Sequence, residues 1–212
     1  MKIKHYVVGP LQVNCYMFLC EKTGHAAIID PGWPTEALYE ERVVAAGKNI
    51  ASLATHCHFD HIGGAAQLSD ITNSSLQIHP LEQSNITDAH NHASRWGFRI
   101  EPVSRYECSL EHGDRISVGQ IDVEVLHTPG HSSGSTCFLV RDEGVMFTGD
   151  LIMRGGVGRT DFTGGDWQTL VTSIRDHVFS LPDSFELYPG HGPNSTVGYE
   201  KQFNPFLRNL HA

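Results

Sequence analysis

ATHCHFDHIGG, residues 54–64, places His56, His58, Asp60 and His61 within six positions and follows them at once with Gly63 and Gly64. The chain has 14 histidines in 212 residues, so some crowding is expected by chance. The order of this block argues for more. IASLATH (50–56) reads as a buried strand that ends on the first histidine. Two residues apart in extended chain, His56 and His58 project to the same side and can grip one ion. Cys57, between them, projects the opposite way and is not expected to ligate. Asp60 and His61 lie past the bend, better placed to hold a second ion close by.

Outward from the block, the N-terminal segment reads as strands IKHYVV, NCYMFLC and HAAIID, with EKTG (21–24) as a hairpin turn between the last two. PTEALYEERVVAAG predicts a helix capped by Thr35 and ended by Gly47, with Ala37/Val44 and Leu38/Ala45 recurring seven apart. GAAQLSD predicts a short helix and LQIHP a further strand, while 81–112 shows little periodicity and predicts loops and short helices. The second half repeats the style. IDVEVLH alternates, with Ile121, Val123 and Val125 inward and Asp122 and Glu124 outward. STCFLVR and GVMFTGD are strands around the turn DEG. DWQTLVTSIRDHVFSLP predicts a helix capped by Asp166 and stopped by Pro182, with Trp167, Leu170, Val171, Ile174, Val178 and Leu181 on one face. FELYPGH ends a last strand at His191. Strands and helices in both halves predict an α/β, four-layer αββα sandwich, one domain over 1–212 with no linker inside it.

The remaining metal-capable residues fall in matching places. His131 follows LHTPG, Asp150 closes MFTGD and His191 closes LYPGH, each at a strand end beside a glycine-bearing loop. Strand ends of this kind can aim ligands from several strands into one crevice. Imidazoles with carboxylates suit borderline divalent ions, zinc above all, with iron or manganese as alternatives. Asp30 in IIDPG is expected to organise the loop behind the ligands, and Trp33 either to rim the pocket or to pack. The other nine histidines read as surface or core residues, with His127 on the Val123/Val125 face.

THCHFDH, TPGHSSGS, TGD and YPGHGP together resemble the metallo-β-lactamase superfamily in its glyoxalase II-like branch, and the likeness runs from DPG (30–32) to PGHGP. The resemblance implies the αββα sandwich. It also implies two divalent metal ions, the first held by His56, His58 and His131 and the second by Asp60, His61 and His191, with Asp150 bridging. A metal-bridging hydroxide would then attack a thioester carbonyl, with Asp60 able to orient or deprotonate the nucleophile, and S-D-lactoylglutathione would yield D-lactate and glutathione. In GGVGRTDFTGG (155–165), Arg159 matches the basic residue that meets glutathione in that branch, whereas Thr160, Asp161 and Phe162 do not supply its tyrosine. The helical C-terminal domain of full-length glyoxalase II is not expected; the segments look most like the short bacterial enzymes. Persulfide dioxygenases, which use a single iron and share GRTDF, are the alternative.

Bulk properties narrow the field. Fifteen basic against 24 acidic side chains give a net charge of −9, which disfavours a nucleic-acid partner. MKIKHYVVGP lacks the pattern of a signal peptide and no apolar run reaches membrane-spanning length, so a cytoplasmic location with no membrane partner is expected. Five unevenly spread cysteines with no C-x-x-C pair predict reduced thiols rather than a disulfide framework.

Overall fold

The computed structural model describes residues 1–34 and 50–208. The helix expected over 35–47 lies outside the described residues. Alternating strands assemble into two six-stranded sheets. The first takes β1 (Lys2–Val8), β2 (Val13–Leu19), β3 (Ala26–Ile29), β4 (Ile50–Leu53), β5 (Leu76–Ile78) and β6 (Tyr106–Cys108) in that spatial order. The second runs β14 (Ser195–Thr196), β13 (Glu186–Pro189), β10 (Val145–Gly149), β9 (Thr136–Val140), β8 (Ile121–His127), β7 (Arg115–Val118). Each sheet is built from one contiguous half of the chain. A separate small hairpin, β11 (Ile152–Met153) with β12 (Gly156–Val157), follows β10.

Side-chain parity produces the layers. In β9, Phe138 and Val140 face the first sheet, and in β10 Phe147 does the same. They meet Tyr16 and Phe18 of β2, Ile29 of β3 and Leu53 of β4 in one inter-sheet core. The intervening residues Cys137, Leu139 and Met146 point the other way, onto Leu170, Ile174 and Val178 of the helical segment 167–178. On the far side of the first sheet, Cys15, Met17 and Ile28 pack with Leu68 of the helix Ala65–Thr72. Ile78 and Leu76 pack with Ile86, Ala89 and Ala93 of the helix Gln83–Arg95. The order is helix, sheet, sheet, helix, because strands buried on both faces need apolar residues at both parities.

Phe147 sits at the centre of the inter-sheet core, fully buried, with ring centroids 5.6 Å from Phe18 and 5.3 Å from Tyr16 and Tyr188. Truncation leaves a void that the close-packed sheets cannot fill. Phe147→Ala is therefore expected to cost about 3–5 kcal/mol in chemical denaturation of the metal-free protein. A loss below about 1 kcal/mol would mean that the two sheets are not held together here.

Two expectations need correction. The 81–112 stretch contains a 13-residue helix, Gln83–Arg95, and the strand β6. The helix buries only Ile86 and two alanines, Ala89 and Ala93, so its apolar stripe is too thin to register as periodicity among Ser, Asn, Thr and Asp. The helix read as continuous from 167 is α-helical over Trp167–Ser173 and widens to a π turn over Ile174–Val178. Asp166 caps it as expected, its side chain accepting from the Thr169 N–H at 2.7 Å. Trp167 lies in the first turn, outside the packed face, and is 43% exposed.

Candidate metal centre

β4, β8, β10 and β13 all end at the same edge of the sandwich, and their following loops carry the seven residues. His56 follows β4, and His58 stands just before the short helical turn Phe59–Ile62 that holds Asp60 and His61. His131 comes from the loop after β8, Asp150 stands immediately after β10, and His191 two residues after β13. The two glycines of the opening motif have a packing reason. The Gly64 N–H donates to the Pro31 carbonyl at 2.8 Å, and a Cβ on Gly63 would lie 2.6 Å from the Gly32 carbonyl oxygen. Only bare backbone lets the 30–34 loop press against this turn.

The side chains fall into two abutting groups. His131 Nε2 lies 3.2 Å from His56 Nε2 and 3.0 Å from His58 Nδ1. Asp60 Oδ2 lies 3.3 Å from His191 Nε2 and 3.7 Å from His61 Nε2. Asp150 reaches both: Oδ1 is 3.5 Å from His61 Nε2, and Oδ2 is 3.7 Å from both His131 Nε2 and His191 Nε2. Ligand atoms within each group, and also those of His56, His61 and Asp150, all lie within 4.8 Å of one another. Two nitrogens bound tetrahedrally to one zinc at about 2.1 Å stand roughly 3.4 Å apart, so the first group is spaced as a shared ion requires. His61 Nε2 and Asp150 Oδ1 are buried with no hydrogen-bond partner in the protein, although buried polar atoms ordinarily have one. Both atoms turn to the shared centre, where a divalent cation would satisfy them. The donor set fits a metal.

The backs of the rings are held. Asp30 Oδ2 accepts from His61 Nδ1 at 2.9 Å and from the Thr55 hydroxyl at 2.7 Å, while Oδ1 accepts from the Thr55 N–H at 2.7 Å. The Arg159 carbonyl accepts from His131 Nδ1 at 2.7 Å. These bonds place the protons on Nδ1 and leave the Nε2 lone pairs for a metal. Asp30 therefore does organise the loop behind the ligands, in the left-handed backbone region that aspartate tolerates (φ 51°). Asp30→Asn keeps the shape but removes the carboxylate that orients His61. It should weaken ion retention by the Asp60–His61–His191 group about 10–100-fold. Competition with a chromophoric chelator measures this, and unchanged retention would mean that Asp30 serves only the fold.

Electrostatics follow from burial and crowding. Burial, reinforced by the neighbouring rings, pushes His56 well below the ordinary imidazole value, and burial with His131 beside it pushes His58 down to about 3. Both are neutral at pH 7, the form that ligates. Burial opposes ionisation of Asp150, but His61, His131 and His191 outweigh it and hold its carboxyl well below the usual range. For His61 burial lowers and the three carboxylates of Asp150, Asp60 and Asp30 raise; the carboxylates win. A metal bound at His61 Nε2 takes the place of that proton, so binding releases protons.

Sequence reasoning missed Glu82. Fully buried, it accepts from the Cys57 N–H at 2.7 Å and from Asn85 at 2.9 Å through Oε2. Through Oε1 it accepts from the Ser132 hydroxyl at 2.6 Å and the Gly134 N–H at 2.9 Å. One carboxylate thus ties the His56–His58 turn of the first sheet to the His131 loop of the second. Nothing in HPLE signals this, since the three partners on the ligand loops are 25, 50 and 52 residues away. Cys57 points into the apolar core with Ala54 and Ile78, where burial pushes its thiol pKa up, and it does not join the ligands. Trp33 packs edge-on against Phe98 and does not line the site cavity. His127, expected in the core, is half-buried, stacked on His79 at 4.1 Å and joined to the Ser133 carbonyl at 2.9 Å.

A cavity of about 360 Å³ opens over the two groups and is lined in part by Asp60, Asp150, Trp96, Phe162 and Arg159. Arg159 is exposed and forms a two-point ion pair with Asp161 at 2.8 and 2.9 Å, its guanidinium carbon 4.3 Å above the Phe162 ring.

Fold and site together define an αββα protein of the metallo-hydrolase superfamily, with a His/Asp cluster fit for divalent metal. The chain belongs to the metallo-beta-lactamase superfamily, whose family model matches residues 8–191. The hydroxyacylglutathione hydrolase GloC of Haemophilus influenzae is 35% identical over 216 residues, covering 99% of each chain. Among solved structures, BLEG-1 B3 metallo-beta-lactamase is 35% identical with a TM-score of 0.90, over 98% of this chain and 100% of that one. TTHA1623 in a di-iron-bound form is 36% identical with a TM-score of 0.88, over 96% of this chain and 100% of that one. Among the described residues no helix is long and apolar enough to cross a membrane.

Proposed function

We propose that the chain is a metal-dependent thioester hydrolase that cleaves S-D-lactoylglutathione to D-lactate and glutathione. The observation that carries this reading is Asp150, whose carboxylate lines the cavity and reaches both ligand groups, Oδ1 toward His61 and Oδ2 between His131 and His191. That arrangement supports two ions, with His56, His58 and His131 holding one, Asp60, His61 and His191 the other, and Asp150 shared. Zinc suits the donor set, as does manganese, and the di-iron form of TTHA1623 supports iron equally. Bound there, the ions supply Lewis acidity for the thioester carbonyl and for an attacking water.

The chain's own side chains do the rest. Asp60, largely buried but facing the cavity, has its carboxyl held below the ordinary range: burial opposes this, and His61 and His191 outweigh it. It is therefore ionised at neutral pH and orients the attacking water or takes its proton. Water adds to the carbonyl carbon, the C–S bond breaks, and the leaving thiolate takes up the proton. Arg159 offers its guanidinium to a carboxylate of a glutathione-like substrate, exchanging Asp161 for it. Hydroxyacylglutathione hydrolase GloC, 35% identical throughout, supports this choice of substrate.

The test is the initial rate of S-D-lactoylglutathione cleavage by zinc-, iron- or manganese-loaded protein, with a chelated control. Chelator-sensitive thiol release is the expected result. Oxygen uptake on glutathione persulfide by protein holding one iron, without thioester cleavage, would replace this reading by the dioxygenase.

A further inference from the structure

One wall of the cavity is apolar in a way that cleavage of a lactoyl thioester leaves unused. Phe162 lies with its ring 5.3 Å from that of His58 and 6.4 Å from that of His131. His92 continues the wall, 5.4 Å from Phe59 and 6.2 Å from Phe162, and its Nε2 accepts from the Trp96 indole N–H at 3.1 Å. That bond fixes the indole at the cavity mouth, where Trp96 is 49% exposed and Leu11 is 37% exposed. Large apolar side chains left open beside a reactive centre mark a surface that a ligand covers. Arg159 is the one lysine or arginine among the lining residues, and it stands over Phe162 at one end of the wall while Trp96 stands at the other.

We infer that this wall is an acyl-arm subsite, and that thioesters bearing an aryl or alkyl acyl group are substrates preferred over those with a small or hydroxylated one. The inference rests on the hydrolase reading above. With a carboxylate of the thiol moiety at Arg159 and the carbonyl over Asp60 and Asp150, an apolar acyl arm covers Trp96 and His92. The lactoyl group, three carbons with a hydroxyl, covers neither.

Three glutathione thioesters, acetyl, D-lactoyl and phenylacetyl, given to the metal-loaded protein test it. One methylene in an apolar pocket is worth about 10-fold or more in kcat/KM, so phenylacetyl should exceed both others by at least about 10-fold. Trp96→Ala and Phe162→Ala should bring the phenylacetyl-to-acetyl ratio to within about 3-fold, with metal content and melting temperature showing that the variants are folded. A preference for D-lactoyl or acetyl, or a ratio that survives both substitutions, overturns the inference. If no thioester is cleaved with metal bound, the hydrolase reading fails instead, and calorimetric titration with phenylacetate and acetate judges the wall alone. Binding of phenylacetate at least about 10-fold tighter, lost in Trp96→Ala, upholds the wall; equal affinities overturn it.

Discussion

Asp150→Ala is expected to lose at least about 10²–10³-fold in turnover, the largest single effect available in this chain. Its carboxylate lies within 4 Å of histidines from both ligand sets. Removal takes a ligand from each proposed ion and the negative charge that balances two dications. The same substitution should abolish the rise in melting temperature that wild type gains from added zinc, because an ion stabilises only a site it binds in the folded state. Without metal the variant should melt below wild type at neutral pH, because His61, His131 and His191 hold the carboxylate ionised in the folded state and that stabilisation goes with it. Retained turnover with full metal content would remove Asp150 from the shared position and leave one working ion.

Glu82→Ala is the second large effect, and it acts on the fold and the centre together. Four donors lose their acceptor inside the protein: the Cys57 and Gly134 N–H groups, the Ser132 hydroxyl and the Asn85 amide. A buried donor left unpaired costs about 1–3 kcal/mol, and Ser132 can turn to Ser135, 2.7 Å away. A loss of about 3–5 kcal/mol in chemical denaturation of the metal-free protein follows. Because both His56–His58 and His131 hang on this carboxylate, retention of the ion in that group should also fall about 10–100-fold. Glu82→Gln separates the two roles. It keeps one acceptor oxygen and restores part of the stability, but its amide faces donors on one side and cannot hold both loops. Ion retention in Glu82→Gln equal to wild type would show that the residue serves the fold alone.

Much of the architecture is legible in residue order because strand parity is a local signal. Phe138 against Leu139, and Phe147 against Met146, already say that β9 and β10 are covered on both faces. The candidate ligands are legible because they crowd the loops that follow strands, with His131, Asp150 and His191 each directly after a glycine. What escaped has a physical reason. The helix Gln83–Arg95 shows the core an isoleucine and two alanines, too little apolar surface to stand out, and its fit against Ile78 is settled by tertiary packing. Glu82 gains its role through partners 25 to 52 residues away, and Trp96 gains its role through the cavity that distant loops complete beside it. Trp167 was misplaced because apolar spacing says which face a residue occupies, not whether the core reaches as far as the first turn.

Each ligand group is made two to one across the seam between the sheets: His56 and His58 with His131, Asp60 and His61 with His191. Neither half of the chain holds a full set. Ions held there would clasp together two halves that meet otherwise through greasy contacts and a few polar ties. How long an ion stays is then a reading of how tightly the halves are shut. A change deep in the inter-sheet core, far from any ligand, should be felt first as leakage of metal.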